Sequence, residues 1–297
     1  MSKNYLSIYA KSFNWAGFFL PKRVYEKCST LYDFCRTLDN IADEDLDLEI
    51  KKEKFKKFKD DFKSKNFDNK IIRNIYLLIE EKNISINIIY DLFDGIESDL
   101  RYELKINSFQ ELLVYSYRVA GSVGLMMAKI LNVNTYNSLK GAIDLGIAMQ
   151  LTNIARDVVE DSKKNRQYIG SDFNTIKNTI KIADLFYDSS FKSIKEIPLS
   201  CRLSILIARR VYREIGNKIL KKKNIKNYKD SGKIYVSNIE KISQTILASF
   251  DLLTLIFVRS NKHIRKNEHD IINQEIDLNE RIWLYNYWRW LCRFVSC

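Results

Sequence analysis

Long stretches of the chain repeat apolar residues at three- and four-residue steps, the period of a helix with one buried face. Between Lys22 and Asp45 the repeat runs through Tyr25, Leu31, Tyr32, Phe34, Leu38 and Ile41, and Pro21 stands where its fixed φ suits the start of a helix. The same period predicts helices over Ile84–Tyr102, from Ser108 through Gly124, across Gly141–Asp161, and over Ile176–Phe191, Leu199–Lys222 and Val236–Val258. Ser108, with Glu111 three residues on, reads as a capping box. Strand-rich folds need turn residues at short intervals, and two prolines and nine glycines in 297 residues are too few to supply them. The expectation is therefore an all-α fold, with no Pro/Gly/Ser-rich linker to divide it.

Two of these helices carry a polar stripe. In Gln150-Leu-Thr-Asn-Ile-Ala-Arg-Asp-Val-Val-Glu-Asp161, the side chains of Gln150, Asn153, Asp157 and Asp161 fall on one side. In the first helix Tyr32, Arg36, Asp39 and Asp43 do the same. Carboxylates one turn apart repel by roughly 0.2–0.5 kcal/mol even on a solvated helix. One such pair is ordinarily a solvated surface, but two pairs on otherwise apolar helices call for positive charge between them. Asp39, Asp43, Asn153, Asp157 and Asp161 form an oxygen donor set suited to Mg²⁺, and Arg36 adds a guanidinium suited to diphosphate oxygens. Across one cavity the two helices would hold a cluster of such ions.

Charge and composition narrow the partners. A net charge of +12 points to an anionic partner, but no nucleic-acid-binding motif accompanies it, and runs such as Lys51–Lys59 read as solvated helix. Cysteines 28, 35, 201, 292 and 297 have no metal-type spacing. Without a signal-type leader they read as free thiols of a cytoplasmic protein. No run reaches the ~18 apolar residues of a membrane span. His263 and His269 stand isolated in a polar stretch, while Arg209 and Arg210 read as surface or helix-pair charges. The end of the chain differs: Arg281–Cys297 holds three tryptophans, two tyrosines and three arginines, a mixture that suits a bilayer interface or packing over the domain.

Arg36-Thr-Leu-Asp-Asn-Ile-Ala-Asp43, Tyr115 to Gly124 and Gln150 to Asp161, in this order and at these separations, resemble the squalene and phytoene synthase family. Asn165-Arg-Gln-Tyr-Ile169 is more similar to the phytoene synthase branch. The resemblance implies an isoprenoid synthase-type helical fold with a central cavity between two acidic helices. The catalytic domain would cover residues 1–260, with residues 261–297 as a basic aromatic tail in peripheral membrane contact. It also implies head-to-head condensation of two geranylgeranyl diphosphates through a cyclopropylcarbinyl diphosphate to phytoene. The cofactor would be Mg²⁺, with Mn²⁺ as a substitute and no NADPH, and the protein would be a monomer or weak oligomer at the inner face of a membrane.

By the same resemblance Asp39, Asp43, Asn153, Asp157 and Asp161 correspond to metal positions. Tyr32, Arg36, Gln150, Arg156, Tyr228, Lys11 and Ser12 correspond to positions around the diphosphates, with Asp39, Asp43, Asp157, Asp161, Tyr32 and Arg36 as the catalytic set. Tyr115 and Val119 match the pocket wall. Asn40, Tyr9, Ala10 and Gly170 depart from the family pattern without removing a metal ligand. A C30 synthase acting on farnesyl diphosphate is the neighbouring alternative, and a catalytically silent binding or assembly protein is the alternative of another class. The small residues Ala120, Gly121, Ser122 and Gly124 allow two readings, close helix contact or room for a long apolar ligand beside Tyr115 and Val119.

Overall fold

The computed structural model describes residues 11–258, 263 and 265–282, with side chains from Asn14 onward. A short helix α1 (Lys11–Gly17) leads to Pro21, whose φ of −56° and ψ of 140° set the entry to α2 (Lys22–Asp43). On α2 the residues Cys28, Leu31, Phe34, Leu38 and Ala42 are buried, at the helical steps the sequence predicts. Phe34 packs against Phe58, Phe62 and Phe93 at ring-centroid distances of 5.9–6.0 Å. Full burial of each such ring contributes roughly 1.5–3 kcal/mol. Those partners come from α3 (Leu48–Lys63) and α5 (Ile86–Ser98), with α4 (Lys70–Lys82) between them in sequence. The lysine-rich run Lys51–Lys59 is thus an amphipathic helix, with Phe55 and Phe58 turned inward.

The cap on α6 (Phe109–Ser116) forms differently from the expected box. Ser108 accepts the N–H of Glu111, but the Glu111 carboxylate takes the N–H of Asn107, one residue before the cap. From α6 the chain passes through a π-helical turn, Tyr117–Gly121, into α7 (Ser122–Ile130). The regular helix expected over this stretch is therefore broken by wider coiling, a feature frequent at functional sites.

The centre of the molecule is α8 (Tyr136–Lys163), buried along most of its first twenty residues. It packs against α7, the π turn, α9 (Phe173–Phe191) and α10 (Leu199–Leu220). Here the small residues have a packing role. A Cβ at Gly124 would meet the Ala142 carbonyl oxygen at 2.3 Å, and one at Gly146 would meet that of Ala120 at 2.2 Å. Backbones pack on backbones at this crossing.

Helix α8 ends at Lys163, and Asn165 follows in the left-handed region at φ +56°, a conformation Asn tolerates after a helix. The chain reverses there into β2 (Arg166–Gln167), which pairs in parallel with β1 (Leu104–Lys105). The remaining elements are a 3₁₀ turn (Lys192–Glu196), α11 (Ile225–Asp230), α12 (Asn238–Phe257) and α13 (Asn267–Asn273). Ser237 and Glu240 form a reciprocal capping box at the start of α12. No described helix is long and apolar enough to cross a membrane.

Candidate active site

Burying one face of α2 turns Tyr32, Arg36, Asp39 and Asp43 to the other, and their environments differ sharply. Asp43 is 2.9 Å from Arg166 Nη1 and 3.1 Å from Lys164 Nζ. Burial pushes its carboxyl up, but these two cations outweigh it and hold the group below the usual carboxylate range. Asp39, one turn back, is pushed up to about 7 by burial. The Arg36 and Arg166 guanidinia oppose that rise, while Asp43 and Asp99 add to it. Tyr32 is raised to about 12, first by burial.

Helix α8 repeats the arrangement in reverse. Arg156 Nε and Nη2 donate to the two oxygens of Asp157 at 2.7 and 2.5 Å, and Lys233 lies 3.4 Å from Asp157. Burial alone would raise Asp157, but Arg156 and Lys233 hold it low. Asp161 is pushed up to about 7 by burial, then by Asp157 and Asp99. Each Asp-x-x-x-Asp thus has one carboxylate neutralised by the chain's own cations and one short of positive charge. On the same helix Asn153 Oδ1 is buried without a hydrogen-bond partner among the described residues. An unpaired buried acceptor costs about 1–3 kcal/mol, and a cation would satisfy it. This all-oxygen donor set fits a hard divalent ion.

The two helices meet through residues that the periodicity of the chain did not single out. The β1–β2 pair returns Arg166 over the acidic faces, where it bonds Asp43 and donates to the Ala42 carbonyl oxygen at 3.2 Å. Arg166 acts electrostatically on Asp39, Asp43, Asp99 and Asp161 alike. Asp99, the C-cap of α5, accepts Tyr115 Oη at 3.1 Å and Tyr168 Oη at 2.8 Å. Burial raises it to about 6 despite Arg166 and these two hydroxyls. Tyr115 and Tyr168 stack with centroids 4.8 Å apart. Asp99 and the Tyr168 segment were visible in the sequence, but nothing in their spacing joins them.

Tyr115 is buried and its hydroxyl engaged, while Val119 lies half-buried in the π turn. Gln150 is half-buried on α8, one turn before Asn153. Tyr228 is buried on α11, where its hydroxyl donates to the carbonyl oxygens of Ala155 and Arg156 at 2.9 and 2.8 Å. It thereby props the stretch of α8 that carries Asp157. Lys11 and Ser12 open α1, and their side chains lie outside the described residues. A cleft of about 660 Å³ runs beside this site, between Ile154, Val158 and Asp161 of α8 and Arg166 to Ile169 of the β2 segment.

The histidines are not isolated. His269 Nε2 lies 2.6 Å from Asp144 Oδ1 and His263 Nε2 lies 2.7 Å from Oδ2; Ser189 donates to the same carboxylate. All three members are buried, Asp144 and His269 completely. Burial would raise Asp144, but His269, His263 and their hydrogen bonds outweigh it and bring the carboxyl down to about 2. The two rings stack 4.5 Å apart at an interplanar angle of 18°. A metal lies near the plane of each imidazole that ligates it, and two nearly parallel, stacked planes share no such point. The cluster is a hydrogen-bonded clamp, and Asp144 stands thirteen residues before Asp157 along α8, about 20 Å away at 1.5 Å per residue.

A nearly all-helical chain with two acidic helices has the helical fold of the isoprenoid synthases. Residues 7–176 match the family model described as Squalene/phytoene synthase, and the chain belongs to that family. It is 30% identical over 241 residues to a phytoene synthase of Cereibacter sphaeroides, covering 70% of this chain and 68% of that protein. It is 36% identical over 149 residues to a 15-cis-phytoene synthase of a Paracoccus species, covering 44% of this chain and 49% of that protein. The matched stretch thus spans about half the length of the Paracoccus protein. Among solved structures, a dehydrosqualene synthase in complex with ligand superposes with a TM-score of 0.72 at 25% identity, covering 84% of this chain and 94% of that one. A squalene synthase of Alicyclobacillus acidocaldarius shares the fold, with a TM-score of 0.61 at 15% identity over 76% of this chain and 92% of that one.

Proposed function

We propose that this protein is a Mg²⁺-dependent prenyltransferase that condenses two geranylgeranyl diphosphates head to head into phytoene. The observation that carries the reading is the shortage of positive charge at Asp39 on α2 and Asp161 on α8, both raised to about 7, together with the unpaired buried oxygen of Asn153 two turns before Asp161. Bound Mg²⁺ would supply charge neutralisation for a departing diphosphate. Asp39 and Asp43 would hold it from α2, and Asn153, Asp157 and Asp161 from α8. Arg36 and Arg166, which both act on Asp39, and Arg156, which pairs with Asp157, would bind the diphosphate oxygens, stabilising charge that develops on the leaving group. Gln150 and the Lys11–Ser12 segment would complete its recognition. Tyr32 is suited to face a carbocation with its ring, an attraction worth up to about 2 kcal/mol when desolvated. Tyr115 and Val119 would wall the hydrocarbon. Nothing in this chemistry calls for a nicotinamide. A hydrocarbon product also suits an enzyme working against the inner face of a membrane; of the tail expected to touch it, residues 265–282 pack on the domain, with Arg281 paired to Asp91, and the aromatic residues 283–297 lie outside the described residues.

The likeness to a dehydrosqualene synthase structure favours a second substrate, farnesyl diphosphate, with the same site and mechanism. Incubation of purified protein with Mg²⁺ and each diphosphate, without nicotinamide, and mass spectrometry of the lipid extract separates the two. A C40 hydrocarbon with a conjugated triene, formed from geranylgeranyl diphosphate and reduced at least about 10²-fold in Asp157→Ala, is the expected result. A C30 product moves the substrate, and no hydrocarbon from either refutes the activity.

A further inference from the structure

Helix α12 is turned inside out. A helix on a water-soluble domain buries an apolar stripe and exposes its charges. On α12 the charged residues face the protein: Lys241 is buried, Asp251 pairs with Arg210 at 2.5 and 2.6 Å, and Glu240 pairs with Lys218 at 2.8 Å. Its exposed face carries Ile239, Ile242, Ile246, Phe250, Leu253 and Phe257, each between 50 and 81% exposed, and no charged residue of the helix is exposed there. An exposed apolar surface of this extent marks a contact with a protein, a ligand or a membrane.

We infer that the outer face of α12 lies on an anionic lipid bilayer and seats the enzyme there through a described surface, independently of the tail. Three observations select lipid over the other occupants. With successive side chains 100° apart, the uncharged positions spread over about half the helix circumference, wider than the narrow seam with which one helix pairs with another. A protein interface keeps a polar rim, whereas a helix lying in the lipid headgroup region has one broad apolar side. The chain entering α12 presents exposed Lys223, Lys226 and Lys229, and the protein as a whole carries a net charge of +12. That charge opposes pairing with a second copy and favours anionic headgroups.

The test is co-sedimentation of the full chain with phosphatidylcholine vesicles and with vesicles that also contain phosphatidylglycerol, for wild type and for Ile246→Glu/Phe250→Glu. Both side chains project from the surface, so the variant keeps the wild-type melting temperature and its turnover in detergent. Wild type is expected to partition onto the phosphatidylglycerol vesicles, and the variant at least tenfold less. Equal partitioning of variant and wild type overturns the inference, as does sedimentation velocity finding a wild-type dimer that the variant converts to monomer with no vesicle binding by either. Vesicle binding needs no substrate, so its outcome is separate from that of the product assay.

Discussion

At the scale of single residues, the unequal carboxylates make a prediction that needs no catalytic assay. Asp39 and Asp161 have folded-state values raised to about 7, above the ordinary value of an unfolded carboxylate. Their contribution to stability is therefore fully present at acid pH and is lost as pH rises through about 7. A divalent ion would relieve the repulsion only once they ionise. Mg²⁺ should accordingly raise the melting temperature more at pH 8 than at pH 6 in thermal-shift measurements, with the difference abolished in Asp39→Asn/Asp161→Asn. An equal gain at both pH values would contradict the assignment. Tyr228→Phe, which removes the hydroxyl from the Ala155 and Arg156 carbonyls, should cost about 0.5–1.5 kcal/mol in denaturant unfolding. It should also weaken Mg²⁺ protection, because Asp157 loses its prop. That Asp39, Asp43, Asn153, Asp157 and Asp161 form two polar helix faces was legible, because helical period puts them there. The link that Arg166 and Asp99 make to those faces was not, since a two-residue strand pair joins segments some sixty residues apart and such pairing leaves no periodic mark in either.

At the scale of elements, periodicity located the long helices and the start of α2 at Pro21. Its failures have local causes. The predicted helix Ile84–Tyr102 ends at Ser98, which frees Asp99 to serve the site. The stretch after Ser108 contains a π turn, which apolar spacing does not distinguish from regular helix. The small residues of that stretch resolve toward packing at Gly124, which abuts the backbone of α8. Gly146→Ala would drive a methyl group into the Ala120 carbonyl at 2.2 Å. It should destabilise the fold by about 1–3 kcal/mol, read as a lowered melting temperature; an unchanged one would mean that the helices separate freely.

At the scale of the whole molecule, one helix serves two ends. The lower part of α8 presents the acidic site, and its upper part carries Asp144, which fastens residues 263–269 to the core. Spacing along the chain leaves no mark of this, because Asp144 is a lone acidic residue in the apolar run Gly141–Met149 and its histidines lie over a hundred residues away. Asp144→Ala would leave two buried imidazoles without their acceptor, at about 1–3 kcal/mol for each unsatisfied group. The chain after α12 should then become sensitive to limited proteolysis while Mg²⁺ protection persists; loss of both together would mean that the two ends are not separable. The account as a whole rests on α2 and α8 forming a single metal–diphosphate site. Electron paramagnetic resonance of Mn²⁺ binding, with an unreactive thiodiphosphate analogue of geranylgeranyl diphosphate present, tests that most directly. Asp39→Asn and Asp157→Asn should each weaken binding by roughly 10–100-fold, although the two residues sit on different helices. Wild-type affinity in either variant would contradict a shared site.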